Sequence, residues 1–320
     1  MYLYNKTNIS ISVKDLENIK DIIDSGWVCE GKWVQKLEKY FKNTYDVKYA
    51  IPCANATSGL SISVRAAWWQ GKRVALPAFT WPSTLYALQT NNCIPVWCDI
   101  KSEDDWTIAL PDEDEFDCAL PVDTFGMDSK VSTSKPTIYD AAHGVNLTNA
   151  LGKRGAIAEV ISFSFTKLVS GMQGGIILTN NKKFYKEATE WVRLSAKLLE
   201  INALLVMGSL HNHSDNCYKR NTITTNYTWY LGDLKNVRPM PFIADPSVFC
   251  LVFKNVKYRE KVENTLRTKL GVGTKHYYKP LIKGLPKTDD IYSRILALPV
   301  HTDIKAIQQD IVETIRDICK

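Results

Sequence analysis

Two amphipathic helices are predicted near the start of the chain, because apolar residues there recur every three or four positions. In the first of them, Gly26 stands where a glycine commonly ends a helix. The apolar face of the first helix comprises Leu16, Ile19, Ile22 and Ile23, and that of the second comprises Val34, Leu37 and Phe41.

Short apolar runs then recur along the chain, and each is followed by a turn or a helix. The runs are nearly continuous rather than alternating, which is typical of strands buried on both faces. They are KYAIPC, RVALP, IPVWCDI, DCALPV, PTIYD, EVISFSF and GGIILTN. We therefore predict an α/β fold of three layers, in which helices cover both faces of a doubly wound, mostly parallel sheet.

The C-terminal part is predicted to form a second, smaller domain. The pattern is helical from about position 184 to position 205, and the polar, aromatic stretch 216–241 is predicted to be irregular. A strand, FCLVF, and further helical patterns follow it. We place the boundary so that residues 1–240 form the large domain and residues 241–320 a small α+β domain.

Composition narrows the classes of function. Of the 320 residues, 45% are hydrophobic and 23% are charged, which is typical of soluble globular proteins. We expect a cytoplasmic protein, because no apolar run is long enough to cross a membrane and the start does not resemble a signal peptide. A net charge of +6 without a basic block argues against a nucleic-acid partner, and the lack of a long apolar run argues against a membrane. The eight cysteines form no C-x-x-C pair, so we expect reduced thiols and no metal site.

Residues directly after the predicted strands are the candidates for chemistry, because ligands of open α/β sheets bind beyond the carboxyl ends of the strands. Lys167 follows the run EVISFSFT and precedes LVSGMQGG. Burial among apolar neighbours would lower the pKa of Lys167, leaving a free amine able to form a Schiff base. A single lysine is more often a solvated surface residue, so the neighbouring candidates decide its interpretation.

Asp140 and His143 follow another predicted strand, in PTIYDAAHG. A carboxylate at the end of that strand is suited to hold a pyridine nitrogen protonated, although an aspartate there also suits the N-cap of a helix. His143 either lies against the same ring or is a hydrogen-bonded histidine of the core.

The remaining candidates suit a phosphate and a flat ring. Thr57 and Ser58 open a predicted helix, where free N–H groups and hydroxyls bind phosphate, although ordinary helix capping uses the same residues. Ser162 precedes Lys167 on the same strand, and Trp81 either stacks on a ring or fills the core. Pyridoxal phosphate (PLP) has an aldehyde, a pyridine nitrogen, a flat ring and a phosphate, and this set offers a partner for each.

The ordered set of motifs resembles the DegT/DnrJ/StrS family of sugar aminotransferases. The resemblance runs almost continuously from about position 19 to position 180 and continues weakly into GVGTKHYYKPL and LALPVH. It implies the PLP-dependent transferase fold of type I. The matching stretches are SGWVCEGKWVQKLEKYF, KYAIPCANATSGL, LPAFTWPSTLYAL, IPVWCDI, PVDTFG, IYDAAHG, SFSFTK and GGIILTN.

This resemblance also implies roles for individual residues. Lys167 is expected to form the Schiff base with PLP, and Asp140 to contact the pyridine nitrogen. Asn226, in TTNYTWYLGDL, is similar to the family asparagine that reaches the phosphate from a neighbouring subunit, which implies a homodimer with a shared active site. The other implied cofactor contacts are His143 near the ring, Trp81 stacked on it, and Thr57, Ser58 and Ser162 at the phosphate.

Three features depart from the family pattern and concern the substrate site more than the cofactor site. Thr228 stands where the family commonly has an arginine, and Asp123 stands where it commonly has a histidine. The helical segment that usually follows the asparagine is predicted to be largely missing after Asn226.

The resemblance implies an aminotransferase that moves the amino group of glutamate to a keto group of a nucleotide-linked sugar. The reaction would run by a ping-pong mechanism with pyridoxamine phosphate as its intermediate. Two alternatives stay open at this point. One is another PLP reaction at the same site, a decarboxylation or a dehydration, and the other is a non-catalytic sensor of the same fold.

Overall fold

The computed structural model describes residues 2–6, 9 and 11–320. Residues 1, 7, 8 and 10 of the predicted large domain lie outside this description. Among the described residues no helix is long and apolar enough to cross a membrane, and no metal-binding cluster of His, Cys, Asp or Glu occurs.

Both predicted N-terminal helices are present, as α1 (Val13–Ser25) and α2 (Lys32–Tyr45). Ser12 and Asp15 form a capping box at the start of α1, and Gly26 ends it with a φ of 67°. The predicted apolar face of α1 is only partly buried, because Ile22 lies inside whereas Leu16 and Ile23 are exposed.

The start of α2 is held by a carboxylate from elsewhere in the chain. Glu200 is 1% exposed and accepts from the backbone N–H groups of Gly31 at 2.9 Å, Trp33 at 2.8 Å and Val34 at 2.9 Å. These donors belong to the first turn of a helix, where they have no partner within the helix itself. Glu200 therefore caps α2 from α6 (Glu200–His211).

The central sheet confirms the prediction of a mostly parallel, doubly wound α/β fold. Its strands run in the order β3-β2-β4-β5-β6-β7-β1, with parallel bridges from Ala119 to Thr137 and from Val122 to Asp140 joining β4 to β5. Among these strands only β7 runs in the opposite direction, so its pairings with β1 and β6 are antiparallel. They are β1 (Tyr49–Cys53), β2 (Arg73–Pro77), β3 (Ile94–Cys98), β4 (Cys118–Ala119), β5 (Ile138–Asp140), β6 (Ala158–Ser162) and β7 (Gly175–Thr179).

Helices cover both faces of this sheet, which gives three layers. Successive residues of a strand point to opposite faces. Val160 packs with α3 (Ala56–Ala66), α4 (Pro82–Gln89) and α5 (Lys182–Ser195), whereas Ile161 packs with α2 and α6. Strands buried on both faces explain the continuous apolar runs in the sequence.

A second, three-stranded antiparallel sheet has the order β10-β9-β8 and forms the centre of the smaller α+β part. Its first strand, β8, precedes the predicted boundary at residue 240. The elements of this part are α7 (His213–Leu231), β8 (Val237–Pro239), β9 (Phe249–Phe253), α8 (Val256–Leu270), α9 (Pro286–Arg294), β10 (Ile295–Leu298) and α10 (Gln308–Cys319).

The prediction of an irregular stretch over 216–241 was wrong, because most of it is the long helix α7. Its buried side includes Ile223, Tyr227 and Leu231, which belong to the core of the small sheet. The helix continues past Asn226 to Leu231, so that residue lies within a helix and not in a loop.

The N-terminal residues pack on this smaller part of the structure. Tyr2 pairs with Val272, and the carbonyl of Leu3 accepts from His301 Nε2 at 2.7 Å. Tyr4 and Asn5 thereby reach the space between the two sheets.

Candidate active site

A cavity of ≈ 440 Å³ lies beyond the carboxyl ends of the central strands, between the large sheet and the smaller one. Most of the residues predicted from sequence for the cofactor site meet here. The lining includes Thr57, Trp81, Asp140, His143, Ser162 and Lys167. Within the described part of the chain, it does not include Ser58 or Asn226.

Lys167 lies in the turn that follows β6, with its backbone N–H bonded to the carbonyl of Ser164 at 3.0 Å. Its amine lies 2.7 Å from Nε2 of His143. Burial lowers the pKa of Lys167 to about 8, and the charge of Asp140 opposes that shift. An amine with this pKa is free of its proton in a useful fraction of molecules near neutral pH.

His143 occupies the centre of a group of polar side chains. Its Nε2 also lies 3.1 Å from the hydroxyl of Tyr278, and its Nδ1 is hydrogen-bonded to the hydroxyl of Ser247. Burial, followed by the charge of Lys167, holds the pKa of His143 well below its usual range. The imidazole is therefore neutral at physiological pH.

Asp140 ends β5 and is almost fully buried. Its carboxylate accepts from the Thr84 hydroxyl at 2.7 Å and from the Ala142 N–H at 3.1 Å. Burial raises the pKa of Asp140, and these hydrogen bonds act in the opposite direction. The backbone after Asp140 forms turns and not an α-helix, so the alternative role as the N-cap of a helix is excluded.

The other end of the cavity is lined by hydroxyls and by the start of α3. The N-cap of this helix is Asn55, whose side chain accepts from the Ser58 N–H at 2.8 Å, so neither predicted hydroxyl caps the helix. The hydroxyl of Thr57 lies 2.7 Å from that of Ser83, and Ser162 accepts from the Ser164 N–H at 3.3 Å. Hydroxyls beside a helix N-terminus form an anion-binding surface.

Glycine is required where β7 approaches this helix. A Cβ atom on Gly175 would lie 2.7 Å from the backbone nitrogen of Ala56. The absence of a side chain at this position allows the start of α3 to sit against the sheet.

Aromatic side chains form one wall of the cavity. Trp81 is 56% exposed, and its ring centroid lies 6.4 Å from that of Tyr278. Tyr278 in turn stacks on Phe125, with ring centroids 4.8 Å apart. Phe125 has a φ of 55°, which is uncommon for a bulky residue and is typical of strained backbone at functional sites.

Several lining or supporting residues were missed from the sequence. Tyr278 lies in HYYKPL, a stretch singled out only for its resemblance to the family. Ser247, Tyr4 and Asn5 carried no local signal, because they are brought to the site by the packing of the smaller part and the N-terminal segment. Thr84 lies in AFTWPST, after a predicted strand, but no role was predicted for it.

Asp123 and Asn226 lie outside this cavity. Asp123 is fully buried and receives two hydrogen bonds from Arg154, at 2.9 Å and 3.0 Å. Arg154 also binds Glu159 at 2.9 Å, so these three residues form a buried ionic network behind β5 and β6. The amide of Asn226 donates to Gln308 at 3.3 Å, and the predicted contact with a partner subunit stays a prediction.

The residues present fit PLP. The cavity holds an amine of lowered pKa in Lys167, a buried carboxylate in Asp140, hydroxyls beside a helix N-terminus, and the exposed ring of Trp81. In that order, these groups match the aldehyde, the pyridine nitrogen, the phosphate and the flat ring of the cofactor.

Comparison with known proteins agrees with this arrangement. The model of the DegT/DnrJ/EryC1/StrS aminotransferase family matches residues 10–113 and 131–316.

Among solved structures, DesI in the presence of its TDP-sugar product is 22% identical, with a TM-score of 0.84 over 99% of this chain and 91% of that chain. Helicobacter pylori PseC, an aminotransferase involved in the biosynthesis of pseudoaminic acid, is 18% identical, with a TM-score of 0.84 and 99% of both chains covered. Bacillus subtilis NtdA with bound PMP is 19% identical, with a TM-score of 0.82 over 99% of this chain and 87% of that chain. The structural likeness confirms the fold.

Proposed function

The chain belongs to the DegT/DnrJ/EryC1/StrS aminotransferase family and is a PLP-dependent aminotransferase, and we propose that it moves the amino group of glutamate to a keto group of a nucleotide-linked sugar. The observation that carries this proposal is the amine of Lys167 held 2.7 Å from a neutral His143, in the same cavity as the buried carboxylate of Asp140.

When bound, PLP condenses with primary amines and delocalises the electrons that a substrate carbon releases when it loses a proton. In this chain Lys167 would hold the cofactor covalently and then carry the proton to and from the reacting carbon. Asp140 would keep the pyridine nitrogen protonated, which is the role of a carboxylate beside that atom. Thr57, Ser162 and the N–H groups of α3 would bind the phosphate.

The cavity mouth carries groups suited to an anionic, hydroxyl-rich acceptor. Lys275 lies there, and among the described residues it forms no ion pair. Tyr277 and Asn5 line the same cavity. A cation beside polar and aromatic side chains suits a sugar joined to a diphosphate. The TDP-sugar named with DesI supports this substrate class.

We also propose that the active enzyme is a homodimer with a shared active site. Phe165 and Met172 are about half exposed close to Lys167, and Trp81 is exposed at the cavity mouth. Exposed apolar side chains grouped around a site are typical of a surface covered by another subunit. The expected contact of Asn226 with a partner's cofactor, and the expected cytoplasmic location, are parts of this proposal.

The visible absorption spectrum of the purified protein with PLP tests the central claim. We expect a cofactor band that disappears on addition of glutamate and returns on addition of a nucleotide-linked keto sugar, as two separate half-reactions require. Lys167→Ala should bind no PLP covalently, whereas Lys279→Ala, a change of an exposed lysine, should behave as wild type.

The rival reactions give different outcomes in the same experiment. Release of CO₂ from an added amino acid without amine transfer would favour a decarboxylase. Loss of water from a sugar without a need for glutamate would favour a dehydratase. A stable cofactor band that no amino donor changes would favour the non-catalytic sensor.

A further inference from the structure

The hydrogen bonds of His143 restrict where its single ring proton lies. A neutral imidazole has one N–H donor and one bare nitrogen that accepts. At Nε2 the neighbours are the amine of Lys167, at 2.7 Å, and the hydroxyl of Tyr278, at 3.1 Å. At Nδ1 the neighbour is the hydroxyl of Ser247.

Ser247 decides between the two positions of the proton because its hydroxyl has a single hydrogen. That hydroxyl also lies 3.4 Å from the carbonyl oxygen of Phe125, which can only accept. When Ser247 donates to Phe125, it accepts the proton of Nδ1 from His143. Both contacts of Ser247 are then satisfied, and Nε2 keeps its lone pair.

The position of Ser247 is itself fixed by burial and by a cation. Ser247 is almost fully buried just before β9, and its carbonyl accepts from Nη1 of Arg220 at 3.2 Å. Arg220 lies on α7, a helix that packs on the smaller sheet. The hydroxyl therefore reaches His143 from the smaller part of the structure, across the cavity from β6.

We propose that Ser247 is a positioning residue that holds His143 with its proton on Nδ1, and so leaves Nε2 as the acceptor for the amine of Lys167. An amine that donates an N–H to Nε2 keeps its own lone pair free. With the proton on Nε2, the imidazole would instead donate to that lone pair and occupy it. The free lone pair is what the amine needs to attack an aldehyde or to take up a proton.

The nitrogen-15 NMR spectrum of the full chain with labelled histidine tests the position of the proton directly. The chain has five histidines, and the signal of His143 is identified by its loss in His143→Gln. Without added PLP, we expect wild type to carry the proton on Nδ1, Ser247→Thr to match it, and Ser247→Ala to move to Nε2 or to a mixture. The signals of the other histidines report whether each variant is folded.

Two results would overturn the proposal: a wild-type His143 protonated on Nε2, or a folded Ser247→Ala variant with the wild-type spectrum. If Ser247→Ala does not fold, the wild-type and Ser247→Thr spectra still show which ring nitrogen of His143 carries the proton. Ser293→Ala, which removes a hydroxyl that donates to the Asp290 carbonyl of the same helix, should leave the signal of His143 unchanged.

The catalytic consequence rests on the proposed function, whereas the position of the proton does not. In the enzyme with PLP, Ser247→Ala should lower kcat about tenfold, equal to ~1.4 kcal/mol, and leave KM for glutamate almost unchanged. Ser247→Thr should recover most of that loss. An unchanged kcat despite a moved proton would contradict the catalytic consequence, and no turnover by wild type would instead contradict the proposed function.

Discussion

The hydroxyl of Thr84 donates to Oδ2 of Asp140 across 2.7 Å, at a place where both side chains are almost fully buried. Burial alone raises the pKa of Asp140 by disfavouring the charged carboxylate. The hydrogen bond from Thr84 stabilises the charged form and lowers that pKa. A hydroxyl on α4 thus helps to keep the carboxylate on β5 ionised.

Thr84→Val is expected to weaken the enzyme at the acidic end of its pH range. Loss of a hydrogen bond to the carboxylate raises the pKa of Asp140, so a smaller fraction is ionised at any given pH. The acidic limb of the pH profile of kcat/KM should therefore move to higher pH. Thr268→Val, on the exposed side of α8, should leave the profile unchanged. A limb that stays in place would show that Thr84 does not act through Asp140.

Glu200→Ala should destabilise the protein strongly. The substitution leaves three N–H groups at the start of α2 without an acceptor, and one unsatisfied buried donor costs about 1–3 kcal/mol. Because water can reach part of this turn, we expect a loss of about 3 kcal/mol in the free energy of unfolding. Urea denaturation measures this value. The matched change Glu190→Ala, at an exposed position of α5, should stay within about 0.5 kcal/mol of wild type, and a similar result for Glu200→Ala would refute the capping role.

Arg154→Leu should destabilise by about 3–5 kcal/mol near neutral pH, because it leaves the buried carboxylates of Asp123 and Glu159 without their cation. Burial already raises the pKa of both carboxyl groups, and loss of Arg154 raises it further. A carboxyl group whose pKa is higher in the folded than in the unfolded state destabilises the protein at pH values above its unfolded-state pKa. At pH values below that pKa it has no such effect.

The gap in stability between wild type and Arg154→Leu should therefore narrow as the pH falls from 8 toward 4. Thermal or urea unfolding across that range measures it. Arg193→Leu removes an exposed partner of Glu30 and should cost at most about 1 kcal/mol. A gap that widens on acidification would contradict the buried network as its cause.

Lys275→Ala should weaken binding of the nucleotide-linked acceptor and spare the amino donor. An exposed charge contact contributes up to about 1 kcal/mol, so we expect KM for the acceptor to rise about fivefold. The wild-type KM should also increase more steeply with salt than that of the variant. Steady-state kinetics with Lys279→Ala as the matched control test this. An equal effect on KM for glutamate would assign Lys275 to the donor instead.

Sequence reasoning succeeded for residues whose position follows from a strand. Lys167, Asp140 and Ser162 lie at or just beyond the ends of β5 and β6, and the topology of a parallel sheet brings such ends together. His143 and Trp81 follow strands in the same way. The architecture was predictable for the same reason, because burial on both faces leaves continuous apolar runs.

The same reasoning failed where tertiary packing determines whether a segment is helical or which residues meet. The helix α7 buries polar residues such as Arg220 and Thr224 beside Ile223 and Tyr227, so no clear apolar stripe marks it. Ser247 reaches His143 only because the smaller sheet packs across the cavity mouth. A lone serine before a strand gives no sign of such a contact in the sequence.

The pairing of Tyr2 with Val272 has a practical consequence for preparing the protein. Tyr4 and Asn5 line the cavity only a few residues further on, and the Leu3 carbonyl is held by His301. An affinity tag fused ahead of Tyr2 would therefore begin a few residues from the lining of the cavity. Lys320 is exposed beyond the end of α10, and no residue of α10 lines the cavity, so a purification tag placed after Lys320 should leave the cavity undisturbed.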